Sequence, residues 1–461
     1  MERAVPMWNR RQFLAITAGG ALAAHPAGAR ASELFASATL RGAVDAADMG
    51  VFANAPVDQS RAFQTILDNA SDQNLAVFLP AGDYVFSGVR LPARTRLTGV
   101  PGATRFLFAG GAFMLAGHGS ERVELTGLAF DGGRRSLDGT VRGLLDLVGV
   151  AAVAIDNCTV ADSGKYGIAL NSCGGRIERS TISAAAEAAL FAVDSLGLQI
   201  TGNTIIDCDN GGILVHRRQP GEDGTIITGN RVSRIHALHG GTGPFGNGIN
   251  VFRAANVLVA NNVIADCAFS AIRANGANNI QITANNCARS GETAIYAEFA
   301  FEGAVISANV VEGAANGISI VNFNEGGRLA VCSGNVVRNL STTGPYEADQ
   351  PGFGVGITVE ADTSVTGNVV ENAPRYGMHI GWGPYMRNVV ATGNVIRKAG
   401  EGIAVSVVDG TGSAVISDNV IDQTPNGAVV GHRWSEAVTG DLARQKSSGY
   451  PNILVERNQV G

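Results

Sequence analysis

One short pattern recurs along most of this chain: an apolar residue, a spacer, a small residue, Asn, and a second apolar residue two positions later. Clear copies occupy residues 200–205 and 227–232, and weaker copies carry Cys158 and Ser180 at the Asn position. Successive copies are 22 to 39 residues apart. Such a period, with occasional insertions, predicts a solenoid. The later copies centre on Asn261, Asn285, Asn309, Asn335, Asn368, Asn394, Asn419 and Asn458.

Each repeat predicts three short strands. The Asn pattern supplies the first, and a second strand begins with Gly-Ile about ten residues later, as at Gly212 and Gly248. A third, less regular apolar run leads to the next Asn. Three strands and three turns per repeat indicate an all-β, right-handed parallel β-helix with about 22–26 residues per coil. The Asn residues are expected at turns, where Asn tolerates positive φ and can bond to the Asn of adjacent coils.

The first part of the chain differs from the repeats. Residues 58–69 predict an amphipathic helix with Asp58 as its cap and with Phe63, Ile66 and Leu67 on one face. A helix over the first coil is the expected cover for the apolar end of a solenoid. We therefore predict an N-terminal cap and first coil over 32–88, and a β-helix over 89–461.

Residues 1–31 predict an export signal. Arg10 and Arg11, followed by Phe13 and Leu14, resemble the twin-arginine motif, and an Ala/Gly-rich apolar stretch follows. Ala29-Arg30-Ala31 fits a small-x-small cleavage site. The twin-arginine export machinery is then a partner, and the mature chain is expected to be periplasmic or secreted in a bacterium. The apolar stretch is shorter than the ~20 residues of a spanning helix, so no membrane span is expected in the mature chain.

Charge and cysteine content exclude two classes of function. The formal net charge of −6 argues against nucleic-acid binding, which needs a basic face. No C-x-x-C pair occurs among the six cysteines, so a zinc site has no support. Cys208 and Cys267 have similar turn positions, but a whole coil lies between them, so they are two rungs apart and beyond the reach of a disulfide. The cysteines are expected to be small buried hydrophobes.

Two segments carry a family resemblance: residues 45–51, and the Leu-Pro-x-Gly-x-Tyr sequence at 79–84 that opens the first coil. They resemble the pectate-lyase-like β-helix superfamily. With the leader and the Asn repeats, the chain resembles the twin-arginine-translocated repetitive proteins of alphaproteobacteria. The resemblance implies carbohydrate chemistry on the outer face of one sheet, and calcium as a metal that such lyases use. No dense Asp cluster in the sequence marks a calcium site, and no cofactor is required by the residues themselves.

Alternation along the second strand separates outward from inward side chains. With the Ile of Gly-Ile facing inward, polar residues collect on the outer face of the central coils, whereas early and late coils present residues such as Ala169, Phe191 and Ala404. A groove for a polymer is therefore expected at the centre of this face. The outward polar set is His216, Asn250, Arg273, Asn275, Tyr296, Glu298, Glu360 and His379.

The predicted catalytic residues are Arg273, Tyr296, Glu298, Glu360 and His379, and they allow two reactions. In a lyase or epimerase, Arg273 would neutralise a uronate carboxylate while Tyr296 or His379 removes the adjacent proton. In an inverting glycoside hydrolase, Glu298 and Glu360 would act as a pair two rungs, or ~9.6 Å, apart. A purely structural ion pair between Arg273 and Glu298 remains the alternative.

Insertions are expected to wall this face. Those after the first strand lie at 235–245 and 339–353; those after the second emerge beside the polar face and supply Arg217 and Trp382. Aromatic rings there suit sugar stacking and Arg suits acidic sugars, although loop aromatics also pack on coil edges. The predicted substrate-binding residues are His216, Arg217, Asn250, Asn275 and Trp382.

The sequence thus favours an exported carbohydrate-active protein, with a polysaccharide lyase acting on an acidic polysaccharide as the leading interpretation. A glycoside hydrolase using Glu298 and Glu360 is one alternative. A non-catalytic protein that binds glycan or serves as a scaffold is the other, because no catalytic motif is unmistakable.

Overall fold

The computed structural model describes residues 42–445 and 449–461, of which Ala43 to Gly461 form one compact unit. That unit is a parallel β-solenoid of about 14 turns, so the predicted fold class is confirmed. No helix in the described part of the chain has the length and apolarity needed to cross a membrane. The predicted export signal, residues 1–31, lies outside the described residues.

Three parallel sheets, here named A, B and C, run along the solenoid. Sheet A contains the strand that precedes each Asn. Its strands are Ala43–Asp45, Ala76–Phe78, Arg94–Thr98, Arg122–Thr126, Ala152–Asp156, Gly175–Glu178, Gln199–Thr201, Ile226–Thr228, Leu258–Ala260, Ile280–Thr283, Glu302–Ser307, Arg328–Ser333, Ala361–Thr366, Arg387–Thr392, Ala414–Ser417 and Ile453–Glu456.

Sheet B contains the strand that follows each Asn. Its separate strands are Gly82–Phe86, Thr104–Phe108, Ala129–Asp131, Thr159–Ala161, Thr181–Ser183, Thr204–Cys208, Arg231–Ile235, Val263–Cys267, Val336–Arg338, Val420–Asp422 and Gln459–Val460. Four longer strands bend through the corner and belong to both B and C: Asn286–Glu298, Val310–Ile320, Val369–Ile380 and Val395–Ser406.

Sheet C contains the predicted Gly-Ile strands. Its separate strands are Val89–Leu91, Leu115–His118, Gly143–Val148, Tyr166–Asn171, Ala188–Val193, Gly211–Glu222, Asn247–Ala255, Ile272–Asn275, Val355–Val359 and Val429–Arg433. The strand Glu436–Asp441 joins its end in antiparallel pairing with Val429–Arg433.

Stacked columns of inward side chains form the core. Because each strand pairs in register with the equivalent strand of the next coil, apolar residues of one position lie on top of each other. From Leu97 to Ile416, no residue of the sheet A column is more than 1% exposed. That column consists of Leu97, Leu125, Ile155, Ile177, Ile200, Ile227, Val259, Ile282, Ile306, Cys332, Val365, Ala391 and Ile416.

The Asn residues form a hydrogen-bonded ladder at the A–B corner. In each step the Oδ1 of one Asn accepts from both the backbone N and the Nδ2 of the Asn one coil earlier, as Asn309 does from Asn285 at 3.0 Å each. Two details of the prediction are wrong. The ladder passes through Asn262 rather than Asn261. The positive φ belongs to the residue before each ladder Asn, such as Asn261 at 56°.

The N-terminal helix runs Ser60–Asp72, so it begins two residues later and ends three residues later than predicted. Gln59 is its N-cap residue. Asp58, the predicted cap, lies one residue earlier, where its Oδ1 accepts the backbone N–H of Ser60 at 2.7 Å. The Phe63 ring stacks on Phe86 with centroids 4.5 Å apart, so the helix covers the first coil as predicted.

At the other end, residues after Arg433 fold back over the last coils. Asp441 accepts hydrogen bonds from the backbone N–H groups of Ala428 and Val429, and Leu442, 1% exposed, joins the core. All six cysteines are buried and free, as expected of small hydrophobes.

Candidate functional site

The outward positions of sheet C align as the sequence register predicts. Leu214, Asn250, Arg273, Tyr296, Ser319, Thr358, His379 and Ala404 occupy one row. A parallel row contains His216, Phe252, Asn275 and Glu298. Glu360 follows Val359, whose pairing with Ile320 places Glu360 two rungs beyond Glu298 in that second row. The outward polar set thus shares one face.

Arg273 is held in a buried ionic network. Its guanidinium donates to both carboxylate oxygens of Glu298, at 2.6 and 3.0 Å, and Nη1 lies 3.3 Å from Glu292 and 2.8 Å from the Thr242 hydroxyl. Asn275 donates to Glu298 as well. These hydrogen bonds occupy the N–H groups of Arg273 that a substrate carboxylate would need, and the oxygens of Glu298 that a proton transfer would need. The catalytic roles of Arg273 and Glu298 stay predictions, and their contacts match the structural alternative.

Burial sets the protonation of this network. It raises the pKa of Glu298 even though Arg273 and Asn275 act in the opposite direction. It also raises the pKa of Tyr296 to about 12, with the nearby charge of Glu292 adding to the effect. The Tyr296 ring lies under the Arg273 guanidinium at 4.8 Å. Tyr296 is therefore a phenol near neutral pH and a poor base.

Glu292 is a buried residue that the register missed. Its carboxylate accepts from the Thr242 hydroxyl at 2.8 and 2.9 Å and from the Tyr346 hydroxyl at 2.5 Å. Thr242 and Tyr346 belong to the two insertions after the first strand, so both insertions also border sheet C. Glu292 lies before the part of the strand in which side chains alternate, so the register did not place it. The one indication in the sequence was a charged residue in an otherwise apolar repeat.

Glu360 lies in a cavity of about 310 Å³. Its Oε2 accepts the backbone N–H of Phe323 at 2.6 Å. Burial raises the pKa of Glu360 to about 7, against which the backbone N–H groups of Phe323 and Asn322 act only partly. Among the described residues that line the cavity, none is Lys or Arg. Besides Glu360, the residues that line the cavity are Tyr296, Asn316, Ser319, Val321, Asn322, Tyr346, Ala348, Asp349, Gln350, Pro351, Gly352, Phe353, Val355, Thr358, His379 and Trp382.

His379 and Trp382 form the far wall of the Glu360 cavity. Burial lowers the pKa of His379 to about 3, and the neighbouring His432 adds to the effect, so the imidazole is neutral near pH 7. Its ring centroid lies 6.0 Å from that of Trp382, which in turn lies 5.4 Å from Trp434. Trp382 therefore presents an aromatic surface to the cavity.

A second cavity, of about 340 Å³, lies over earlier coils of the same face. It is lined by His216, Gly243, Pro244, Asn250, Phe252 and Asn275. Burial lowers the pKa of His216 to about 4. The structure thus divides the predicted substrate-binding residues: three line this cavity, Trp382 lines the Glu360 cavity, and Arg217 lines neither.

The sequence profile of the "Right handed beta helix region" matches residues 142–237 and 221–385, together more than half of the chain. The chain belongs to the right-handed β-helix family. No curated protein sequence matches this β-helix protein significantly.

Solved structures resemble the β-helix protein in fold. The A-module of a mannuronan C-5 epimerase from Azotobacter vinelandii is 16% identical with a TM-score of 0.50, covering 90% of this chain and 99% of that one. Bacteriophage phi29 gene product 12, in its pre-mature form, gives 16% and 0.50, covering 89% and 57%. An α-1,3-glucanase catalytic unit from Streptomyces thermodiastaticus gives 13% and 0.46, covering 92% and 69%. At these identities the likeness concerns the fold alone.

A metal site would require several ligating side chains of the β-helix protein to lie close together. Within residues 42–445 and 449–461, no group of three or more His, Cys, Asp or Glu side chains could hold a metal ion. Calcium needs six to eight oxygen ligands. The described residues thus offer no such side-chain cluster for calcium, and calcium stays an expectation from the family resemblance.

Glu401 and His432 form a buried acid–base pair that was not predicted from the sequence. His432 Nε2 lies 2.7 Å from Glu401 Oε2, and both residues are less than 10% exposed. The Tyr376 ring lies between this pair and His379, with centroids 5.3 and 5.5 Å away. The β-helix protein thus holds His379 in place with a packed aromatic cluster.

Proposed function

We propose that this β-helix protein is a glycoside hydrolase that cleaves a neutral polysaccharide at the Glu360 cavity. The observation that carries the proposal is Glu360 itself: a buried carboxyl with a pKa of about 7 and no cationic neighbour in the cavity wall. A general acid works best when its pKa lies near the working pH. A raised pKa on one carboxyl of the site is the property that glycoside hydrolysis demands of its acid.

Asp349 is the proposed second carboxylate. It is exposed on the insertion at 339–353 and lines the cavity with Glu360. Glu360 would donate its proton to the glycosidic oxygen as the C–O bond breaks. Asp349 would take a proton from a water whose oxygen bonds to the anomeric carbon, or attack that carbon itself, in which case a water that gives its proton to Glu360 then breaks the bond between Asp349 and the sugar. Either route adds one water across the bond. Glu298 is a weaker partner because Arg273 and Asn275 already occupy its oxygens.

The cavity wall favours a neutral sugar over the acidic one first expected. An acidic sugar would bring a carboxylate next to Glu360 and Asp349 without any lining Arg or Lys to balance it. Trp382, Tyr296 and Tyr346 supply aromatic surface, and the amides of Asn316 and Gln350 supply hydrogen bonds. Aromatic walls with a few placed polar groups are typical of ligand sites, and the fold shared with a mannuronan C-5 epimerase is compatible with a glycan ligand.

The test is a panel of neutral polysaccharides (α-glucan, β-glucan, galactan, mannan) and acidic ones (polygalacturonate, alginate). New reducing ends are expected from a neutral polymer, without the ultraviolet absorbance of an unsaturated product. Glu360→Gln should lower the rate at least a hundredfold, whereas Glu325→Gln, an exposed carboxyl on a nearby turn, should not. Unsaturated products, or full activity in Glu360→Gln, would refute the hydrolase; binding without turnover would leave the non-catalytic alternative.

Export by the twin-arginine machinery, with a periplasmic or secreted product, is the second part of the proposal and rests on Arg10 and Arg11. The test is the location of the full chain in fractionated bacterial cells. Arg10→Lys/Arg11→Lys should retain the protein in the cytoplasm, and unchanged export of that variant would contradict this route.

A further inference from the structure

An aromatic row leads along sheet C to the second cavity. Tyr166 stacks on Phe191 with centroids 4.8 Å apart, Phe191 contacts His216 at 5.4 Å, and His216 contacts Phe252 at 5.6 Å. These rings come from four consecutive coils. One ring per coil over four coils forms a line of packed aromatic contacts along the solenoid axis, in which Phe191 is buried and Tyr166, His216 and Phe252 are half-buried.

The cavity at the end of this row has unused hydrogen-bonding capacity. The Nε2 of His216 is buried and has no hydrogen-bond partner among the described residues, while the Asn250 side chain bonds to the imidazole and partly offsets the effect of burial on its pKa. The amides of Asn250 and Asn275 line the same cavity, and the Nδ2 of each already makes one hydrogen bond, to the Gly243 carbonyl and to Glu298 Oε1 respectively. Phe252 and Pro244 supply its apolar surface, and no charged side chain is among its lining residues. An uncharged polar ligand with an apolar face fits these walls.

The two cavities are related by a fixed distance. His216, Phe252, Asn275 and Glu298 pair in sequence along one row, and Glu360 lies two rungs beyond Glu298. Five rungs separate His216 from Glu360, or ~24 Å at the backbone. The Arg273 network lies between, with Asn275 facing one cavity and Tyr296 the other. A ligand that reaches both must be a chain of several sugar units.

We infer that the cavity around His216, with the aromatic row ending at Phe252, is a remote subsite that binds a neutral glycan chain and makes the protein select long chains cleaved internally. This inference rests on the proposed function at Glu360. Phe252 would pack against a sugar ring, while His216 Nε2 and the two amides would bond its hydroxyl groups.

The experiment compares chain lengths. The substrates are oligosaccharides of two to eight units. They are prepared by partial acid hydrolysis of the neutral polymer that the protein cleaves or binds. They are assayed with wild-type protein and with His216→Ala, Phe252→Ala and Phe252→Tyr. The expected result is at least a tenfold rise in KM for the longest chains in both Ala variants, with unchanged kinetics on the shortest substrate and little change in Phe252→Tyr. His236→Ala is the matched control, since His236 is exposed and lines neither cavity.

Binding separates failure of this inference from failure of the proposed function. Affinity of the Glu360→Gln protein for the same size series is measured by calorimetry, with and without His216→Ala. Length-dependent loss of affinity in the His216→Ala form, together with a wild-type protein that cleaves no polymer of the panel, supports the subsite and refutes the hydrolase. Cleavage with no length effect in either Ala variant overturns the subsite alone. Absence of binding to every polymer of the panel overturns both, and a thermal unfolding scan of each variant confirms that it is folded.

Discussion

Arg273 and Glu298 lie on adjacent coils of sheet C and join them through two parallel hydrogen bonds, Nε to Oε1 at 2.6 Å and Nη2 to Oε2 at 3.0 Å. Both side chains are less than 10% exposed. A buried pair of this kind repays its desolvation only while both partners are present. The pair therefore fixes the part of sheet C that lies between the two cavities, and its contacts match a structural role.

Removing one partner of this pair should destabilise the protein strongly. We expect Arg273→Ala to cost about 3–5 kcal/mol of unfolding free energy, because Glu298 would remain buried without its cation. The double variant Arg273→Met/Glu298→Leu should cost less than Arg273→Met alone or Glu298→Leu alone. Urea unfolding of these variants measures this, and a double variant as unstable as the sum of the singles would contradict it.

The ionisation of Glu360 should make stability depend on pH. Its folded pKa of about 7 lies above the usual 4.5, so its contribution to stability is full below pH 4.5 and is lost as the pH rises through 7. Glu360→Gln removes this dependence. Between pH 4.5 and 8, we expect the stability of the variant relative to wild type to rise by about 3 kcal/mol.

Urea unfolding of both proteins at the two pH values measures this change. Glu325→Gln, which alters an exposed carboxyl, is the control. An equal difference between Glu360→Gln and wild type at both pH values would show that Glu360 titrates normally.

Register could be read from the sequence because it depends on a strict alternation. The rows through Arg273 and Glu298 follow once Ile of each Gly-Ile pair is placed inward, and the structure reproduces them. Pairing between side chains was harder to foresee. Whether the Arg273 guanidinium is free or already paired depends on Glu292 and Thr242, which come from a corner and an insertion with no repeat pattern.

The Asn ladder shows the same limit on a smaller scale. Two adjacent Asn residues, Asn261 and Asn262, both fit the repeat, and only backbone geometry separates them: the first adopts positive φ and the second enters the ladder. The sequence alone therefore could not show that the pattern had been placed one residue too early.

An interior rung of this ladder should matter more than a terminal one. Asn309→Ala removes an amide that bonds to Asn285, Asn335 and the Ile282 carbonyl, and leaves those buried groups unpaired. We expect a loss of roughly 2–4 kcal/mol on that basis. Asn458→Ala, at the half-buried end, should cost about 1 kcal/mol or less. Chemical denaturation compares the two; equal losses would argue against this dependence on position.

Glu292 should hold two insertions in place. Tyr346→Phe removes the hydroxyl that donates to Glu292, so the insertion at 339–353 should be cleaved faster by a protease, while the insertion at 235–245 keeps its Thr242 contact. Glu292→Gln should expose both insertions. Limited proteolysis with mass spectrometry locates the cuts, and Tyr385→Phe, on a turn remote from Glu292, is the control.

The ladder also explains how coils of unequal length coexist. The 39 residues from Asn419 to Asn458 are spanned by the same two bonds as the 24 residues from Asn285 to Asn309. Insertions can therefore lengthen between ladder positions without disturbing the coils on either side. The Asn ladder at the A–B corner maintains the shape of the solenoid. The segments that border sheet C are free to change what the protein recognises. The loops that border sheet C can therefore change in length and sequence while the ladder and the coils beneath them stay the same.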